Sequence, residues 1–154
     1  EAKRIEFPDN VIARLTGKDA KDACAYTSRI VEESRGSARW FPCLEAVAAL
    51  LEHKNSLVRN RAIVILAANA RWNREGKFDT LMDEFLRHVT DEKPITARQC
   101  IQALPEIAAA KPHLITRMRA ALEGADLSAY RDSMRPLILK DIAVALDAME
   151  GMRQ

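Results

Sequence analysis

The side chains able to do chemistry are scattered through this sequence rather than clustered. Three histidines, His53, His88 and His113, stand near the ends of apolar patterns, and no metal ligand set is read around them. For His53 and His88 the reading is an exposed imidazole near the C-terminal end of a helix dipole. Asp79, Asp83 and Glu84 lie close together, but they alternate with Phe78, Leu81, Met82, Phe85 and Leu86 in a way that assigns them to the solvated face of a helix rather than to an acid–base pair. No P-loop, dinucleotide glycine turn, nucleophile elbow or His-Glu-x-x-His run is present. The chain is therefore read as a non-enzyme with no cofactor and no metal.

Positive charge is the less neutral feature. From Asn55 to Arg74 there is no acid but four arginines, Arg59, Arg61, Arg71 and Arg74, with Trp72 between the last two. From Ile107 to Leu122 there is again no acid, with Lys111, Arg117 and Arg119. Arginine beside an aromatic can grip phosphate and stack on a base, or anchor a protein partner. Alternatively these cations balance acids such as Asp79, Asp83, Asp91 and Glu92, with Trp72 filling a gap between helix pairs. The net charge of +2 is small for a nucleic-acid footprint, which usually makes a domain distinctly basic.

The elements that position these residues are legible. A chain of 154 residues with 48% hydrophobic and 30% charged residues can bury one substantial core. Aromatics at 5%, five Gly and six Pro favour long helices over a sheet with many turns. No apolar run reaches the ~20 residues of a membrane-spanning helix, and no charged-then-apolar leader opens the chain, so a cytoplasmic protein without a membrane partner is expected. Cys24, Cys43 and Cys100 all fall in apolar helical patterns and read as buried, reduced thiols.

Helical spacing recurs along most of the chain. After a short segment, Asp9 to Thr16, closed by Gly17, the residues Ala20, Ala23, Cys24, Thr27, Ile30 and Val31 share one side of a helix. Phe41, Leu44, Val47, Ala48 and Leu51 make a further stripe; Ser56 is placed to cap the helix that follows. Helices then open at Pro94 and Pro112, and a last one carries Leu137, Ile138, Ile142, Ala145, Leu146 and Met149. Pro105, inside "IQALPEIAAA", predicts a static bend in its helix, with a hinge as the alternative.

These stripes repeat. An offset of 38 lays Leu57 on Ile95, Ala62 on Cys100, Ile63 on Ile101 and Leu66 on Leu104. A further offset of 42 lays Ile95 on Leu137, Arg98 on Lys140, Cys100 on Ile142 and Leu104 on Leu146. Phe41 and Leu44 fall on Phe78 and Leu81 at an offset of 37. A period of ~40 residues is that of stacked helical hairpins, whose first helices are apolar nearly all round because neighbours on both sides cover them.

The stretch "SLVRNRAIVIL", with Val58, Arg59, Ala62 and Leu66, resembles the start of a HEAT or HEAT-like repeat. The resemblance implies an all-α protein, an α-α superhelix: a right-handed solenoid of about three to four HEAT-like hairpins. It would form one domain over residues 1–154, with units at roughly 18–54, 55–91 and 93–123 and a terminal helix at roughly 133–150. HEAT proteins mostly serve as scaffolds, which implies an adaptor that receives a protein partner on its concave helical surface. The contacts expected for such a partner are Arg71, Trp72, Arg74, Arg87, His88 and Arg117. The alternative is nucleic-acid binding like that of the HEAT-like DNA-alkylation-repair glycosylases, although no motif around Trp40, Trp72 or any Asp matches their base-excising residues. A lyase or maturation factor is a third reading, and the oligomeric state stays open.

Overall fold

The computed structural model describes residues 8–72 and 76–152. Among the described residues there are eight α-helices and no strand. They are α1 (Pro8–Leu15), α2 (Ala20–Ser34), α3 (Leu44–Ala49), α4 (Ser56–Asn69), α5 (Lys77–Leu86), α6 (Pro94–Ala110), α7 (Ile115–Glu123) and α8 (Arg135–Glu150). None of them is long and apolar enough to cross a membrane. Tight 3-10 turns flank the shorter helices, at Phe41–Cys43, Leu50–Glu52, Arg87–Thr90 and Pro112–Leu114.

Local chemistry sets the helix ends. Asp19 caps α2 by accepting the Asp22 N–H at 3.1 Å. The cap of α4 is Asn55, whose side-chain oxygen accepts the Leu57 N–H at 2.9 Å, and Ser56 is the first helical residue rather than the cap expected for it. Asn and Ser are nearly equal as caps, and it is Asn55 that holds the extended backbone a cap requires. Pro94 occupies the first turn of α6, where a missing N–H costs nothing. Gly76, just ahead of α5, has φ +77°, a left-handed conformation that favours glycine. Helix α6 continues through Pro105 to Ala110 as one element.

The buried side of α2 is rotated from the stripe read in the sequence. Ala20 and Cys24 are exposed, and Ala23, Tyr26, Thr27, Ile30 and Ser34 face inward. Tyr26 decides this, because its ring is the largest apolar surface on the helix: it meets Trp40 edge-on at 6.0 Å between centroids and lies under the Arg14 guanidinium at 3.9 Å. Cys24 is consequently an exposed thiol, against the expectation of burial, whereas Cys43 and Cys100 are buried.

Helices α2, α4, α6 and α8 lie in a row, each packed on the next. The hydrogen bonds between them show their direction. Near its start α4 meets the start of α6, with Thr96 Oγ1 donating to Asn60 Oδ1 at 2.6 Å. At the far ends, Asn69 Nδ2 donates to Ser34 Oγ at 3.0 Å and Trp72 Nε1 to the Ser34 carbonyl at 2.6 Å. Early turns of α6 and α8 join through Arg98 Nε, 2.6 Å from Asp141 Oδ2. Beginnings pair with beginnings and ends with ends, so the four helices run the same way. The cross-links span sequence separations of 35, 36, 38 and 43 residues, close to the offsets of 38 and 42 between matching stripes.

Burial follows from this placement. In α4 the side chains of Val58, Ala62, Ile63, Ile65, Leu66, Ala67 and Ala68 are all buried, because α2, α3 and α6 touch it from different sides. In α6, Ala97, Cys100, Ile101, Leu104, Ile107 and Ala108 are enclosed in the same way. Removing a buried aliphatic here leaves a cavity that the surrounding helices cannot close. Ile101→Ala should destabilise the protein by about 2–5 kcal/mol in urea denaturation, whereas Ile95→Ala, at an exposed position of the same helix, should shift it by no more than about 0.5 kcal/mol.

Candidate partner-binding surface

Five of the six residues singled out by sequence lie among the described residues, on three elements: the 3-10 turn that ends α4, the turn after α5, and α7. Arg71, in the 3-10 turn that ends α4, donates from Nη2 to Glu106 Oε2 at 2.8 Å and from Nη1 to the Arg35 carbonyl at 3.1 Å. Arg35 grips the same Glu106 carboxylate with two contacts of 3.2 Å. Trp72, tied to Ser34, is partly buried where α2 meets the end of α4, the gap-filling role weighed as an alternative. Arg74 lies outside the described residues. Arg87 is exposed at the start of the turn after α5. Arg117 on α7 pairs with Asp83 and also donates to the Asp79 carbonyl at 3.4 Å, and His113 Nε2 sits 2.9 Å from Asp79 Oδ2. Asp79 and Asp83 thus tie α5 to α7 and its leading turn rather than simply facing water.

His88 corrects the sequence reading outright. It is buried, with only 9% of its surface exposed, and is unavailable to a partner. The reason is its position three residues before Asp91, on the turn that carries the chain into α6: His88 Nδ1 reaches Asp91 Oδ1 at 2.7 Å. Asp91 is the buried centre of a wider network. Its carboxylate also accepts Arg59 Nε at 3.0 Å, Arg59 Nη2 at 2.8 Å and the Lys93 N–H at 2.9 Å. Arg59 Nη1 further donates to the carbonyls of His53 and Lys54, and the Tyr130 hydroxyl donates to the Asp91 carbonyl. One ion pair therefore binds the segments that lead into α4, α6 and α8.

Burial alone would raise the Asp91 carboxyl. The hydrogen bonds from His88, Arg59 and Lys93, together with the Arg59 charge, outweigh it and hold the pKa down at about 2. Burial pushes the Tyr130 hydroxyl up, to about 12, and raises the Cys100 thiol as well. The Glu84 carboxyl is raised by a hydrogen bond shared with Glu52 and by burial.

A different set of residues faces solvent and invites contact. Among the described residues, the exposed large hydrophobic side chains are Leu57 (50%), Ile95 (55%), Leu137 (39%), Leu139 (57%) and Val144 (60%), and they stand on α4, α6 or α8. Leu57, Ile95 and Leu137 are related by the sequence offsets of 38 and 42, and all three are exposed, making a column of like positions on three helices that run the same way. Each precedes a buried residue by one or two positions, Val58, Ala97 and Ile138 respectively, and these neighbours take the inward place. That one- or two-residue offset from the buried stripe was the signal available in the sequence.

Grooves run beside this column. One of about 400 Å³ between α2 and α4 is lined by Ala20, Cys24, Thr27, Leu57, Asn60 and Val64, with Arg61 and Gln99 at its edges. Another of about 490 Å³ between α6 and α8 is lined by Gln102, Pro105, Leu137 and Val144, with Arg98, Lys140 and Asp141 at its edges. On the opposite helices, a groove of about 440 Å³ between α3 and α5 holds Phe41, Pro42, Leu44 and Leu81. No family model, curated protein or solved structure matches the chain.

The Asp91 network yields a pH prediction. The folded-state pKa of about 2 lies below the ordinary 3.8, so the carboxylate contributes stability that is complete above pH ~4 and is lost as pH falls toward 2. Asp91→Ala, which strands the buried Arg59, should cost about 3–5 kcal/mol at pH 7 and flatten the acid limb of the stability–pH profile measured by urea denaturation.

Proposed function

We propose that this chain is a non-enzymatic, HEAT-like helical-repeat scaffold, built as a right-handed α-α superhelix, that holds a protein partner. The single observation that carries the reading is the column Leu57, Ile95 and Leu137, which keeps aliphatic side chains in water at the same register on three successive repeat helices. Isolated exposed leucines are ordinary, but a column repeated with the period of the fold and flanked by grooves is an interaction surface. This reading puts the contact face on α4, α6 and α8 rather than at His88 and Arg117, because His88 is enclosed and Arg117 is engaged by α5.

The nucleic-acid reading draws less support. Arg59 is spent on Asp91, Arg61 donates to the Leu15 carbonyl at 2.7 Å, and Arg71 is held by Glu106. Arginines that stitch helices together have little left for phosphate. Cys24, Cys43 and Cys100 form no disulfide among the described residues, which favours a reducing compartment such as the cytoplasm.

The test is affinity capture from the source cell with wild type and with a Leu57→Asp/Ile95→Asp variant. Both changes are at exposed sites and should leave the helical circular dichroism unchanged. A protein retained by wild type and lost from the variant is expected, together with no retention of DNA or RNA oligonucleotides at low salt. Identical captured sets would overturn the placement of the surface, and salt-sensitive oligonucleotide binding lost in Arg71→Glu would overturn the choice of partner.

A further inference from the structure

We propose that the outward side of α8 is self-complementary and pairs two copies of this chain about a two-fold axis. Helix α8 is the last member of the row α2, α4, α6, α8, and its neighbours are α6 and α7. The repeat offset of 42 carries Arg98, Ile101, Gln102 and Pro105 of α6 onto Lys140, Ala143, Val144 and Asp147 of α8. Arg98 and Gln102 are the residues with which α6 holds α8, through Asp141. The outward side of α8 therefore corresponds to that packing side, and it is exposed: Leu139 at 57%, with Lys140, Ala143 and Asp147 also exposed, while Val144 lies at its rim beside the groove with α6.

The charges on this side select the occupant and its direction. Lys140 and Asp147 lie seven residues apart, about 10 Å along one face, and neither has an ion-pair partner among the described residues. When two copies of α8 cross antiparallel with the axis between Ala143 and Val144, Lys140 of each faces Asp147 of the other. Two equivalent ion pairs then flank a centre of Leu139 and Ala143, and the small Ala143 allows close approach. A parallel crossing would set lysine against lysine and aspartate against aspartate. Head-to-tail stacking is disfavoured as well, because the first helix of the row, α2, presents Lys21, Asp22, Ser28, Arg29 and Glu32 to solvent. An apolar α8 set against that charged face would strand the charges. The pairing leaves the Leu57 and Ile95 column free.

Sedimentation equilibrium of the purified chain tests this, with circular dichroism as the control for folding. Wild type should show a monomer–dimer equilibrium. Leu139→Glu should weaken it by about tenfold or more, since it places a charge in the apolar centre. Lys140→Asp should weaken it, and Lys140→Asp/Asp147→Lys should restore it, because the swap keeps opposite charges face to face. In a Cys24→Ser background, Ala143→Cys should form a disulfide-linked dimer under oxidation, as the two copies meet at that position. A chain that stays monomeric at millimolar concentration, grows into larger chains, or dimerises as tightly with Leu139→Glu overturns the proposal, as does a charge swap that fails to recover the loss from Lys140→Asp.

Discussion

A helix that is apolar on every side cannot be satisfied by a single neighbour, and that constraint organises this protein. Helices α4 and α6 bury residues around most of their circumference, so each has to be flanked within its own layer and backed by another. A row of helices running the same way is the arrangement that lets a repeated sequence satisfy a repeated need. The connecting segments must then return the chain to the same end of the row each time. The buried Arg59 and Asp91 pair sits at that end, where it joins the approach to α4 with the approaches to α6 and α8. A buried ion pair contributes little net stability against an apolar replacement, but it accepts only one geometry. Its effect here is to fix register, which apolar contacts alone leave loose.

The same constraint explains how much could be read from residues alone. Offsets of 38 and 42 identified which helices correspond, and the observed hydrogen bonds join α4 to α6 and α6 to α8 at early turns of each helix. Periodicity resolves a face only to within about one residue in a helix of 3.6 residues per turn. That is why the offsets match Leu57, Ile95 and Leu137 to one another without telling that all three face water while Val58, Thr96 and Ile138 beside them are buried. Tyr26 shifted the face of α2 because one aromatic ring outweighs several small side chains, a matter of area that a pattern of apolar positions does not record. The enclosure of His88 depended on Arg59, 29 positions earlier in the sequence, meeting Asp91 across two helices.

The arginine-rich segments show how composition can mislead when partners lie elsewhere in the chain. Acid-free stretches from Asn55 and from Ile107 looked like patches for an anionic ligand. In the folded chain their cations meet Asp91, Glu106, Asp83 and Glu150, each supplied by a different helix or turn. The large side chains left in water on α4, α6 and α8, among the described residues, are instead the aliphatic Leu57, Ile95, Leu137, Leu139 and Val144.

The claim beneath all of this is that α4 and α6 are neighbours pointing the same way, one repeat apart. Nuclear Overhauser contacts in the isotopically labelled protein address it directly. The account predicts cross-peaks between Asn60 and Thr96 near the helix starts and between Ser34 and Asn69 near the ends of α2 and α4. Cross-peaks joining Asn60 to the Ala108 end of α6 instead would mean antiparallel helices, and the shared register from which the surface column was drawn would not exist.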